Sequence, residues 1–328
     1  MRKRWPLLLL LAMAATRVFA QTIRPNYVLT ANEVLRVDLA AGTSVPVASL
    51  PLITSEIAAY DPLRHRVTYA SLSFPGERLV TVALSGTFPT TVVTVTGPDL
   101  AGLEYDAATG ALYALQAIPG APLVRVRADG NTDLVAVTGS IAPLVAPGAF
   151  TPSAFDPATG RYFFISGAQT LDAQILVTVN VNTHVVTMLP VPFTGFYSTL
   201  TFDRITTHLL ATRIHGGTFL VELDPVTGST TQIAASALRL FGHASYLDAA
   251  RRTLYINTFP PDGLFFGAID VTNGNMVVRP SPGLAEIAPA AAPATDTEIP
   301  ALDARALLLL IAALATVAVF CVGKVCEG

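Results

Sequence analysis

Hydrophobic residues in this chain come in short runs rich in Val, Leu, Ile, Phe and Thr, each soon closed by a turn signal, and no helical spacing is sustained between them. The clearest unit is residues 153–166, SAFDPATGRYFFIS. Its Asp-Pro-Ala-Thr-Gly centre is turn chemistry: Asp bonds its own backbone, Pro presets φ for the next position and Gly accepts φ > 0. The unit therefore reads as two antiparallel strands joined tightly. Aligned on Asp156, the chain brings Asp61, Asp106, Asp203 and Asp248 into the same register, at intervals of 45, 50, 47 and 45 residues. An aromatic or aliphatic residue precedes each Asp (Tyr60, Tyr105, Phe155, Phe202, Leu247), and a new hydrophobic run opens six positions later (Val67, Leu112, Tyr162, Leu209, Leu254).

A second hairpin lies between these units and also repeats, at 35–49, 79–95, 123–137, 175–189, 219–233 and 264–278. Each is β-branched on both sides of a polar or Gly-bearing turn, as a strand pair requires. A period of this size, built from short strands and turns alone, is the mark of propeller blades. Six hairpins predict an all-β propeller of six four-stranded blades. The segment 23–30, IRPNYVLT, reads as the second strand of a blade whose first strand is missing. An opening there would leave an exposed edge, so a strand from the far end of the chain is expected to close the ring, with GLAEIA (283–288) the candidate.

The two ends change the picture. Residues 1–20 read as a signal peptide: a basic Met1-Arg2-Lys3-Arg4, an apolar stretch from Pro6 to Ala15, and Val18-Phe19-Ala20 before Gln21. The propeller is expected over 21–288, and an extended Ala/Pro/Thr-rich linker over 289–298. Residues 299–328 hold Ile299, Pro300, Ala301 and Leu302, a polar Asp303-Ala304-Arg305, a charge-free run from Ala306 to Val322, and Lys324. As a helix that run would reach about 26 Å, adequate with its flanks to span a bilayer. An exported chain with a C-terminal transmembrane helix follows.

Composition then excludes chemistry. Residues 21–298 carry 14 Arg against 21 Asp plus Glu, a net charge of −7, with no Lys and no Trp. An acidic surface repels phosphate backbones, so nucleic acid is not an expected partner. Without lysine there is no Schiff base. Both cysteines, Cys321 and Cys326, sit in the tail, so cysteine-ligated zinc or iron–sulfur sites are excluded from the body. His65, His184, His208, His215 and His243 show no metal-ligand spacing, and neither a nucleophile elbow nor a phosphate loop occurs. No catalytic residue, metal site or cofactor is implied. The repeated Asp residues are expected to be structural.

Two resemblances can be placed on these residues. The last 30 residues resemble the bacterial C-terminal sorting signal that begins Ile-Pro-Thr-Leu, similar in plan to the Pro-Glu-Pro type. Ile299, Pro300 and Leu302 match it, while Ala301 stands for Thr and Asp303-Ala304-Arg305 for Ser-Glu-Trp. That resemblance implies handling by an exosortase-like transpeptidase and delivery to the cell surface or matrix; a plain single-pass anchor is the other reading. The body resembles the YVTN and NHL-like bacterial propellers, with Leu254-Tyr255-Ile256-Asn257-Thr258 similar to the strand that names the first group. It implies the fold and no function.

Long irregular connections on a rigid scaffold are where binding concentrates. They fall on the face opposite the Asp turns, and Arg78, Arg213, His215, Arg239 and His243 are their candidate binding residues, as a rim for an anion or polar ligand. The expected function is a cell-envelope binding or scaffold module, its partner an extracellular polymer, protein or small ligand. The alternative is a lactonase-like metal hydrolase with Glu56, Glu104 and Asp262 at the channel mouth.

Overall fold

The computed structural model describes residues 26–291 apart from 31, 39–42, 54–56, 73–76, 139–146, 148–150, 168–173, 192–194, 216, 237–244, 250, 258–264 and 281–287. Residues 1–20, expected to be a signal peptide, residues 299–302, expected to be a sorting motif, and the apolar run 306–322 lie outside the described residues. Among those described, no helix is long and apolar enough to cross a membrane.

Every strand pairs antiparallel with its neighbour. Blade 2 is β4 (Ala58–Asp61), β5 (Arg66–Leu72), β6 (Glu77–Ala83) and β7 (Thr90–Thr94). Blade 3 is β8 (Leu100–Tyr105), β9 (Leu112–Gln116), β10 (Leu123–Val126) and β11 (Thr132–Ala136). Blade 4 is β12 (Ser153–Asp156), β13 (Arg161–Ser166), β14 (Gln174–Asn180) and β15 (Val186–Val191). Blade 5 is β16 (Phe196–Asp203), β17 (His208–Ile214), β18 (Thr218–Leu223) and β19 (Thr230–Ser236). Blade 6 is β20 (Ser245–Asp248), β21 (Thr253–Asn257), β22 (Phe265–Asp270) and β23 (Met276–Pro280). Blade 1 joins the two ends of the body: β24 (Ala288–Ala291) pairs with β1 (Asn26–Leu29), followed by β2 (Glu33–Asp38) and β3 (Thr43–Ser49).

The first strands of the blades neighbour one another in a closed circuit: β4 beside β8, then β12, β16, β20 and β24, which returns to β4. This is a six-bladed propeller. The closing strand carries one correction. Ala288 is shared with the expected closure, whose residues 283–287 lie outside the described ones, and pairing runs on to Ala291, into the stretch read as linker. The pairing Tyr27↔Ala291 and Leu29↔Ala288 is irregular in register. Ala and Pro are poor strand formers in isolation, but strand preference yields to a waiting edge.

Inner strands are buried on both faces, which explains their unbroken apolar runs. In RYFFIS, Tyr162 and Phe164 pack against blade 3, while Phe163 and Ile165 pack against blade 5, the period of two of a strand. Rings stack across both seams, Tyr113 on Phe155 at 5.4 Å and Phe163 on Phe202 at 5.8 Å. Each fully buried side chain of this size contributes about 1.5–3 kcal/mol. The outermost strand β3 is mostly open to solvent.

Each Asp turn is built as its sequence requires. Asp156 lies buried, accepting from the Ala158 amide at 3.0 Å and the Thr159 hydroxyl, with Arg161 at 3.0 Å. Asp61, Asp106, Asp203 and Asp248 are buried in the same way. Four residues after each Asp the backbone turns left-handed, at His65, Gly110, Gly160, Thr207 and Arg252. Because the strands meander, these turns and the third-to-fourth strand turns open on one face of the ring, the turn face. All other connections open on the opposite, loop face.

Candidate functional site

Arg78 is partly buried at the loop-face end of β6, in register with Ser71 and Thr94. Arg213, on β17, is also partly buried and sits with its guanidinium 5.3 Å from the centre of the Phe219 ring. It is paired in register with Tyr197. Burial raises the pKa of the Tyr197 hydroxyl and the Arg213 charge beside it works the other way. Arg213 is thus packed between aromatic groups and serves the blade as well as the face. His215 is exposed just beyond β17, its amide donating to the Gly217 carbonyl at 2.9 Å. The structure brings Arg213 and His215 together on blade 5 and sets Arg78 on blade 2, three blades away around a ring of six. Arg239 and His243 lie outside the described residues. So do Glu56 and Asp262 of the alternative reading.

Glu104 is described, and the structure gives it company. A register shift in the β8–β9 ladder falls between Ala101 and Glu104, where Gly102 adopts φ +56°. The bulge turns the Gly102 carbonyl towards blade 4, where it accepts from the Tyr162 hydroxyl. The Ser153 hydroxyl of β12 donates to Glu104 Oε1 at 2.8 Å. A Cβ at Gly102 would press on both the Tyr162 and Ser153 side chains, so the close approach of the two blades requires glycine. Burial pushes the Glu104 carboxyl up to about 8, with the Ser153 bond working against it. At neutral pH the protonated acid, a hydrogen-bonding group, is favoured.

A second carboxyl flanks the same strand. Glu77, buried at the start of β6, accepts from the Leu100 amide through Oε2 at 2.6 Å, while its Oε1 has no partner among the described groups. Burial, assisted by the nearby Asp99 charge and opposed by the Leu100 bond, raises it to about 7. Hydroxyls join other seams: Thr68 to Tyr105 at 2.8 Å and Thr201 to Ser245 at 2.6 Å. Among the described residues no group of three or more His, Cys, Asp or Glu side chains is placed to hold a metal ion. The histidines are scattered: His65 bonds the Tyr60 hydroxyl at 2.8 Å, and His208 stands 3.1 Å from Glu222.

No protein-family model matches the chain, and no curated protein matches it in sequence. Its fold is shared widely. A chain of a nidogen/laminin complex superposes with a TM-score of 0.63 at 14% identity, covering 81% of this chain and 97% of that one. TolB from Acinetobacter baumannii gives 0.60 at 12% identity, over 86% and 71%. A putative 6-phosphogluconolactonase from Bacteroides fragilis gives 0.54 at 9% identity, over 83% and 98%. At such identities the likeness establishes the propeller and nothing about activity. The Glu104 cluster had one signal in the sequence, a charge inside the otherwise apolar strand LAGLEY. Its partners, 49 and more residues away, had none.

Proposed function

We propose that this propeller is an exported, non-enzymatic binding or scaffold module of the cell envelope, anchored by the apolar run 306–322 and presenting its loop face to an extracellular polymer, protein or small ligand. The observation that carries this reading is the use made of the inner carboxyls. Asp61, Asp106, Asp156, Asp203 and Asp248 are bonded into their own turns. Glu104 and Glu77 are bonded across blade seams and desolvated. The Asp carboxyls thus hold turns and the two Glu carboxyls hold blade seams, and a module built to display loops needs that rigidity. Residues 299–302 and the run behind them supply the envelope address, through an exosortase-like enzyme or as a simple anchor.

The second reading, a lactonase-like hydrolase, draws on the fold likeness to putative lactonases and on Glu104, the described member of its three carboxyls. The full chain assayed against aldonolactones, with and without Ca²⁺, Mn²⁺ or Zn²⁺, tests both. The binding reading expects hydrolysis at the uncatalysed rate. Metal-dependent turnover abolished by Glu104→Gln in a protein that still folds would overturn it.

A further inference from the structure

The body of this chain has a polarity that follows from how blade 1 is assembled. In blades 2 to 6 the first strand runs to the turn face and an Asp turn returns the chain along the second strand. In blade 1 that turn is missing. β24 ends where β1 begins, with Ala291 opposite Tyr27. Both ends of the body therefore leave through the turn face, beside the axis, where the other five blades carry their Asp turns.

That face has a matching surface chemistry. The second residue after Asp61, Asp203 and Asp224 is Leu63, Ile205 and Val226 respectively, and these side chains stand 57%, 63% and 72% exposed at the tips of their turns. Their position follows from the turn itself: the Asp side chain takes their amides, at 3.0, 2.9 and 2.8 Å, so the side chain points away from the blade. Around the axis the Asp61, Asp203 and Asp248 turns present Arg64, Arg204 and Arg251, all exposed, while the acids they accompany are buried. Of the acids set in the outer, third-to-fourth strand turns, Asp129 is exposed and Asp224 and Asp270 are partly so. Arg64, Arg204, Arg251 and the apolar tips Leu63 and Ile205 thus sit on the inner turns, nearest the point of exit, with Val226 on an outer turn of the same face.

We infer that the turn face is the membrane-proximal surface of this propeller, with Leu63, Ile205 and the axial arginines resting on an anionic phospholipid bilayer. This rests on the reading of 306–322 as a bilayer anchor. The 14 residues between Ala291 and Ala306 span at most about 50 Å when extended, so the tether keeps the face near the lipid without forcing contact. Contact comes from the tips and arginines, the combination that seats peripheral surfaces at the headgroup boundary. The loop face then points away from the membrane.

The full chain, with Cys321→Ala and Cys326→Ala, is reconstituted in vesicles of phosphatidylcholine and phosphatidylglycerol after labelling Leu63→Cys, Ile205→Cys or, on the loop face, His215→Cys with a fluorophore. A lipid-borne quencher is expected to quench the labels at 63 and 205 several-fold more than the label at 215. Equal quenching in protein that floats with the vesicles overturns this inference and leaves the anchor standing. Failure to float overturns the anchor and this inference with it.

Discussion

Arg252, in the turn that opens β21 of blade 6, donates two hydrogen bonds to Asp203 of blade 5, at 2.8 and 2.7 Å. Asp203 is fully buried and Arg252 largely so. Burial opposes the Asp203 charge, but the Arg252 fork and the Ile205 amide hold its pKa below the usual value. Removing one partner strands the other. Arg252→Ala is expected to destabilise the fold by about 2–3 kcal/mol, and Arg252→Lys to restore little, because a point charge cannot replace the fork. Urea unfolding of the three proteins reads this directly. Since the folded pKa of Asp203 is lowered, its contribution is present above the unfolded pKa and fades as pH falls through the folded value. The Ala variant should therefore lose less stability on acidification than the parent.

Glu77 and Glu104 titrate in the opposite sense. Their folded pKa values are raised, to about 7 and about 8, so the folded protein keeps protons that the unfolded chain releases. The stability linked to them is complete below the unfolded value and is lost as pH rises through the folded ones. Unfolding free energy should decline between about pH 5 and pH 9, and Glu104→Gln, which preserves an acceptor for Ser153, should flatten that decline. A decline of equal steepness in the Gln variant would show that Glu104 is not its source.

Left-handed turn positions make a paired prediction. Thr207 is β-branched at φ 62°, with the Asp203 carbonyl accepting its amide at 2.8 Å. Thr207→Gly should stabilise the protein by about 1 kcal/mol through relief of that backbone. Gly228→Ala should do the reverse: its φ is 72°, and a Cβ would lie 2.7 Å from the Pro190 carbonyl oxygen. Thermal unfolding midpoints moving in opposite directions check both.

How much of this was legible in the sequence depended on distance along the chain. The Asp turns were readable because Asp156, Ala158, Thr159 and Gly160 meet every demand within five residues, and five copies agreed. The six outer hairpins were readable for the same reason. Arg252 and Asp203 are 49 residues apart, as are Ser153 and Glu104, and nothing local announces either pair. The Glu104 cluster depends further on a bulge at Gly102, which only the partner strand reveals. The closing strand ran past its expected limit because APAA has neither β-branched residues nor alternation. Its place is set by the edge of β1. Connection length places a rim residue on a face but not beside a partner, and Arg78 and Arg213 stand on blades three positions apart.

The ring's closure by β24 is the relationship on which the display of one face and the exit through the other both depend. Urea unfolding of two truncated chains, one ending at residue 298 and one at residue 287, tests it most directly. The longer chain should unfold in a single cooperative transition, and the shorter one, with the inner edge of β1 uncovered, at a markedly lower midpoint. Coincident transitions of the two chains would contradict the closed ring.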